Sequence, residues 1–382
     1  MKKRLRTNAV VAVALLLLLS GCMGGLKSET IVIPDSAEAA SPDEGDEPFR
    51  VKTIYRLPSR NEKVMDLLYW GGADSAYRIY WNDKGRQSLA RLTAPFEEES
   101  EIRLNGPDRD VPIHYDSVSP DGRYAAGLRP GESGDELVLA RLSDRRLIDL
   151  PKPDSSRLYS KGFVWSDNGR YLSYFSYDVN GMHIVVYDAE NGTSKKYALP
   201  GLERVDYVYF VKPSDDGKSA ILLSESDNQA NLWLGEWKQG AFEAVYSHRV
   251  GGGLQAAWID SDRIAFAGTD GTLFTYDRRN EELAVLAGQV GSFQVSPDKQ
   301  FLAYSAEDNA VYVAKLKGNN LLQATSVYQG VVPGRMAWSP DSGRLLVQGW
   351  KPYDKRVPEP AGQESQVLVS DNMQNLIIEF ER

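Results

Sequence analysis

The stretch Phe163-Val164-Trp165-Ser166-Asp167-Asn168-Gly169-Arg170-Tyr171-Leu172-Ser173-Tyr174 decides the fold. A short polar turn separates two runs rich in Val, Trp, Tyr and Leu, the residue types that suit half-buried strands. The same arrangement returns at Ser117–Ala126, Phe210–Ile221, Ala257–Phe266, Phe293–Tyr304 and Met336–Val347. In Ser119-Pro120-Asp121-Gly122 the chemistry of the turn is explicit. Proline presets φ at the second position of a type I turn, and glycine suits the fourth.

Anchored on Arg123, Arg170, Lys218, Arg263, Gln300 and Arg344, the copies are spaced by 47, 48, 45, 37 and 44 residues. A period near 44 is that of a four-stranded propeller blade. One period upstream, Val64–Trp70 and Tyr77–Trp81 form a degenerate seventh copy. Hairpin signals follow most units, among them Asp178-Val179-Asn180-Gly181, Glu190-Asn191-Gly192 and Thr269-Asp270-Gly271. No stretch of the chain after the leader sustains a helical period. A four-stranded unit cannot bury both faces alone, whereas units stacked around an axis cover one another. The expected fold is therefore all-β: a single β-propeller, most simply of seven four-stranded blades, with six or eight as alternatives. Trp165, Trp258 and Trp338 recur just before the turn and read as inter-blade core. Asp121, Asp167, Asp298 and Asp341 read as turn residues.

The segments Trp338-Ser339-Pro340-Asp341-Ser342-Gly343-Arg344 and Ser119-Pro120-Asp121-Gly122-Arg123-Tyr124 resemble the TolB-like, WD40-like propeller repeat of the PD40 type. The resemblance spans about Phe49 to Arg382 and implies the fold. It does not select a role, because propellers host many. TolB carries a separate domain ahead of its propeller; here an acidic segment runs straight into Arg50–Pro58. Those residues look like Lys195–Pro200, the last strand and exit of an internal unit. They are one candidate for the outer strand that closes the ring, and Asn375–Phe380 is the other.

The amino terminus carries an address. Met1-Lys2-Lys3-Arg4-Leu5-Arg6 is basic, Ala9–Leu19 is apolar, and Ser20-Gly21-Cys22 follows. This is the pattern of a secretory signal peptide, too short to span a bilayer. Leu19-Ser20-Gly21-Cys22 resembles the lipobox of bacterial lipoproteins, which implies cleavage between Gly21 and Cys22 and acylation of Cys22. Two acyl chains would hold a soluble domain stably at a membrane. Cys22 is the chain's one cysteine. Residues 23–48 are rich in Gly, Ser, Pro and acids, with Thr30-Ile31-Val32-Ile33 the one apolar run, and are expected to be disordered. The expected organisation is a signal peptide over 1–21, the lipidated Cys22 and acidic tether over 22–48, and the propeller over 49–382.

The chain has 382 residues and a net charge of −9, which argues against nucleic acid as a partner. Removal of residues 1–21 would take away four cations and leave −13. His114, His183 and His248 share no register, and no Gly-x-Ser-x-Gly, P-loop or His-Glu-x-x-His motif occurs. No cofactor, metal ligand or catalytic residue is assigned from sequence. The longest connection holds Trp350, Tyr353, Lys355 and Arg356 among three prolines, and these four are the candidate partner contacts. The expected role is a monomeric, lipid-anchored binding or scaffold module on the extracytoplasmic side of a bacterial membrane. It would meet a protein or cell-envelope partner on a propeller rim. The alternative is a metal-assisted hydrolase or lactonase using carboxylates of the central channel.

Overall fold

A computed structural model describes residues 29–32, 49–59, 66–82, 85–102, 113–132, 134–150, 162–178, 181–200, 207–251, 255–306, 309–352 and 373–381. Among these residues every regular element is a strand, and no helix is long and apolar enough to cross a membrane.

Among the described residues the strands form seven four-stranded antiparallel units, and the fold is a β-propeller. The first blade is Leu67–Gly72, Ser75–Trp81, Gln87–Thr93 and Glu98–Ile102, from the axis outward. The innermost strands of the next five begin at His114, Val164, Tyr207, Ala256 and Phe293. The third and fourth blades touch at their outer strands through one parallel pair, Ala198 with Ala241. The seventh blade is Val332–Trp338, Arg344–Trp350 and Met373–Phe380, completed by Val51–Leu57 from the other end of the chain. Both closing candidates are thus used, one as third strand and one as fourth. Val51–Leu57 plays in the seventh blade the part that Thr193–Ala198 plays in the third.

Side chains that alternate across each strand enter different cores. In Ser219–Ser226, Leu222 joins the cluster shared with the third blade, while Ile221 and Leu223 join the one shared with the fifth. Among the described residues there are seven such clusters, one for each pair of neighbouring blades. The last joins Leu68, Trp70 and Leu92 of the first blade to Leu346 and Ile377 of the seventh and to Tyr55 and Leu57 of the closing strand. Gln348 reinforces this seam from a fully buried position: its Oε1 accepts the Leu68 amide, and its Nε2 donates to Asp66 O and Asn375 Oδ1. Arg344 reaches from the seventh blade to Ala73 O and Asp74 in the turn of the first.

The repeated motifs acquire definite jobs. Each turn serine, Ser119, Ser166, Ser214, Ser296 and Ser339, is buried and donates to the side chain two residues on, at 2.6–2.7 Å. The same Oγ accepts the amide five residues on, which locks the hairpin. Trp165, Trp258 and Trp338 each donate an indole N–H to the innermost strand of the preceding blade, at Ser117 Oγ, Lys212 O and Gln294 O. Trp70 does the same across the seam, at 2.8 Å from Ala337 O. These indoles are structural, as their recurrence implied.

One local expectation is corrected. Glu29–Val32, inside the segment read as disordered, pairs antiparallel with Val51–Leu57 and extends the seventh blade to five strands. The composition of residues 23–48 as a whole hid a run of β-branched residues, which an exposed sheet edge can recruit by backbone pairing.

Trp70→Phe keeps the ring and removes the N–H that crosses the seam. It should lower the unfolding free energy by about 1–2 kcal/mol, since Ala337 O is left without that partner. Equilibrium urea unfolding checks this, and an unchanged midpoint would contradict it.

Candidate functional site

The innermost strands enclose an axial cavity of about 530 Å³. Its wall is mostly apolar or aromatic, with Leu67, Tyr69, Phe163, Phe210 and Met336 among the lining residues. Five charged side chains also line it: Asp116, Asp167, Lys212, Lys299 and Arg335. Three cations against two acids make this a cationic spot in a protein of net charge −9.

The end of the cavity beside the repeat turns is crossed by ion pairs. Asp167, on the third blade, receives Lys212 Nζ of the fourth at 2.6 Å and Lys299 Nζ of the sixth at 2.7 Å. Lys299 also donates to Trp258 O of the fifth blade, so one side chain ties three blades together. Burial alone would raise the Asp167 carboxyl, but the two ammonium groups hold it far below the usual carboxylate range. Asp215 stands close by and accepts the Asn168 amide at 2.8 Å. Burial pushes its carboxyl up, and the Asp167 charge adds to the shift.

Two of these residues depart from the repeat. The turn-capping side chain of the third blade is Asn168, an amide, not Asp167, because Ser166 Oγ donates to Asn168 Oδ1. Asp167 occupies the position held by Pro120, Pro297 and Pro340 in other blades. Asp167 does lie in the turn, as read, but with proline absent at this position its charged side chain turns into the cavity while Asn168 does the capping. Lys299 occupies the place of Gly122, Gly169 and Gly217, and it keeps their left-handed backbone at φ 61°. A side chain there costs roughly 1 kcal/mol, which the bonds at its ammonium group offset.

Farther from the turns, Asp116, Tyr69 and Arg335 form a second group. Asp116 is the extra residue at a β-bulge between Tyr115 and Ser117. Bulges re-aim side chains in this way next to functional sites. Tyr69 Oη donates to Asp116 O at 2.8 Å, and the Arg335 guanidinium lies over the Tyr69 ring at 4.1 Å from its centroid. Burial raises the Asp116 carboxyl from 3.8 to about 6, opposed by a hydrogen bond from the Phe163 amide.

The histidines do not converge. His114 lies beside Trp81 on the inner strand of the second blade, and His183 is on a third strand. His248 is in the outer strand Ala241–Arg249, not in a connection, and packs against Phe266 and Phe274. Trp350 ends the second strand of the seventh blade, level with Val332 and Met373, so the connection it begins leaves from the face where inner strands start. Tyr353, Lys355 and Arg356 of that connection lie outside the described residues, as do Gly21 and Cys22.

No protein-family model and no curated protein sequence matches the chain. Solved structures do. A chain of a mitotic checkpoint complex aligns with a TM-score of 0.54 at 14% identity, over 92% of this chain and 99% of that one. Oligogalacturonate lyase in complex with manganese gives 0.54 at 12% identity, over 94% and 99%. The WD40 repeats of RRP9 give 0.51 at 11%, over 86% and 97%. At these identities the likeness establishes the β-propeller and nothing finer; the group contains a chain of a checkpoint complex as well as a lyase.

The raised carboxyl has a consequence for stability. The folded state binds the Asp116 proton more tightly than the unfolded chain does. The cost of burying this carboxylate is absent below about pH 4, grows between pH 4 and 6 and is complete above. Asp116→Asn should add about 1–2 kcal/mol of unfolding free energy at pH 7.5 and almost none at pH 4. Denaturant melts at the two pH values check it, and an equal effect at both would contradict it.

Proposed function

We propose that this chain is a lipid-anchored propeller on the extracytoplasmic side of a bacterial membrane and that it acts by binding rather than by catalysis. The anchor rests on Leu19-Ser20-Gly21-Cys22 at the end of a basic and apolar leader. In this reading the mature chain starts at Cys22, with six residues between it and the strand Glu29–Val32 on the ring's edge. Fully extended, residues 23–28 reach about 20–25 Å. The propeller would ride close to the bilayer with its seventh blade nearest, instead of floating on a long spacer.

The observation that carries the binding reading is the state of the channel acids. A metal-assisted hydrolase needs carboxylates free to share an ion. Asp167 is instead taken up by two lysines, and Asp116 stands apart on a bulge. Among the described residues no group of three or more His, Cys, Asp or Glu side chains is placed to hold one ion. The rim from which the 351–372 connection departs is the surface proposed for a protein or envelope partner, through Trp350, Tyr353, Lys355 and Arg356.

Cys22→Ala should move the protein from the membrane fraction to the soluble extracytoplasmic fraction after leader processing; retention in membranes would contradict the anchor. Cross-linking in intact membranes should capture a partner with the native chain and lose it when residues 353–363 are deleted. Equal capture by both would clear the loop of this role.

A further inference from the structure

Arg335 makes no salt bridge among the described residues. Among the described residues its guanidinium meets the face of Tyr69, and Nη1 is buried with no hydrogen-bond partner. Arg335 as a whole is half-buried, but a guanidinium over a ring keeps in-plane donors for an acceptor, and leaving the buried Nη1 unmet is costly. The nearby acid does not relieve it. The Asp116 carboxylate takes the Phe163 amide, and among the described residues it makes no salt bridge to Arg335. The other cations are satisfied, since Lys212 and Lys299 share Asp167 and Asp215 stands beside them. Counting Asp116 and Asp215, the acids and cations around the cavity are equal in number, and what sets Arg335 apart is a buried Nη1 donor that none of these acids takes.

The surroundings narrow what could answer that charge. Leu67, Phe163, Phe210 and Met336 give apolar and aromatic wall, and Tyr69 gives a polarised ring. A cavity of about 530 Å³ falls in the range of small-molecule sites, which pair an apolar lining with a few convergent polar groups. Arginine's planar fork matches a carboxylate in two-point contact. The ion pairs of Asp167 cross the turn end, so entry is from the face where the inner strands begin.

We infer that the axial cavity is a binding site for a small organic carboxylate with an apolar body, its carboxylate on Arg335 and its body against Phe163, Phe210 and Met336. This goes beyond the rim partner and does not depend on the lipid anchor. The channel site and the rim could be occupied independently.

The test uses the full chain purified in detergent. Phenylacetate and hexanoate are titrated by ligand-observed NMR and by thermal shift, beside their uncharged amides, phenylacetamide and hexanamide. The carboxylates should bind at least about tenfold more tightly than the matched amides, and Arg335→Gln should erase that difference while leaving amide binding unchanged. Arg335→Lys should restore part of it. Equal binding of carboxylate and amide by the native chain would overturn the inference, as would failure of either carboxylate to bind at about 10 mM. Both readings come from the native protein and hold even if a variant does not fold. Failure here would leave the membrane and rim tests untouched.

Discussion

The structure depends on one constraint: no blade can cover its own two faces. Each sheet donates alternate side chains to two cores, and each core belongs to two sheets. Such an arrangement has no natural end. A linear stack would leave an apolar face bare at each terminus, and the ring removes both ends at once. The seam between the seventh and first blades is where that gain is collected. There the chain places polar contacts away from water, with Gln348 and Asn375 fully enclosed and Trp70 reaching across to Ala337. The amino-terminal strand Val51–Leu57, paired along its length with Met373–Phe380, fastens this seam with hydrogen bonds between distant parts of the chain.

Closure creates the channel as a by-product. Seven inner strands converge on an axis that their side chains must fill, and here they leave about 530 Å³. The repeat is obeyed where it builds blades and broken where residues face this space. Asp167 stands in place of a proline, Lys299 in place of a glycine, and Asp116 on an added residue. Departures that cost backbone strain or burial of charge are the places where a fold is being used for something besides folding. Lys299 illustrates the exchange, since a left-handed lysine is held by an ion pair to a blade three positions round the ring.

Repetition made the architecture legible in the sequence. Ser-Pro-Asp turns and the tryptophans before them recur because each blade needs them. The likeness of Arg50–Pro58 to Lys195–Pro200 even marked the closing strand. The cavity chemistry was harder to read for the complementary reason. Asp167 and Lys299 are 132 residues apart, and only ring geometry brings them together. Arg335 and Tyr69 meet across the seam, at opposite ends of the sequence. A signal was present in each case as an exception within the repeat, at Asp167 and Lys299 above all. Averaging the copies into one pattern hid it, so that Asp167 was read for its place in the turn and not for its side chain. The strand Glu29–Val32 was missed because its four residues were judged by the composition of their neighbours.

Native-state hydrogen exchange at Val51–Leu57 tests the central claim most directly. If ring closure holds the blades together, the amides of this strand that bond Met373–Phe380 should open only with the whole molecule. They should then show the same free energy of exchange as Leu345–Val347 in the second strand of the seventh blade. Exchange of Val51–Leu57 at much lower free energy, with the other strands of the seventh blade still protected, would mean that the ring stands without its clasp and would contradict the account.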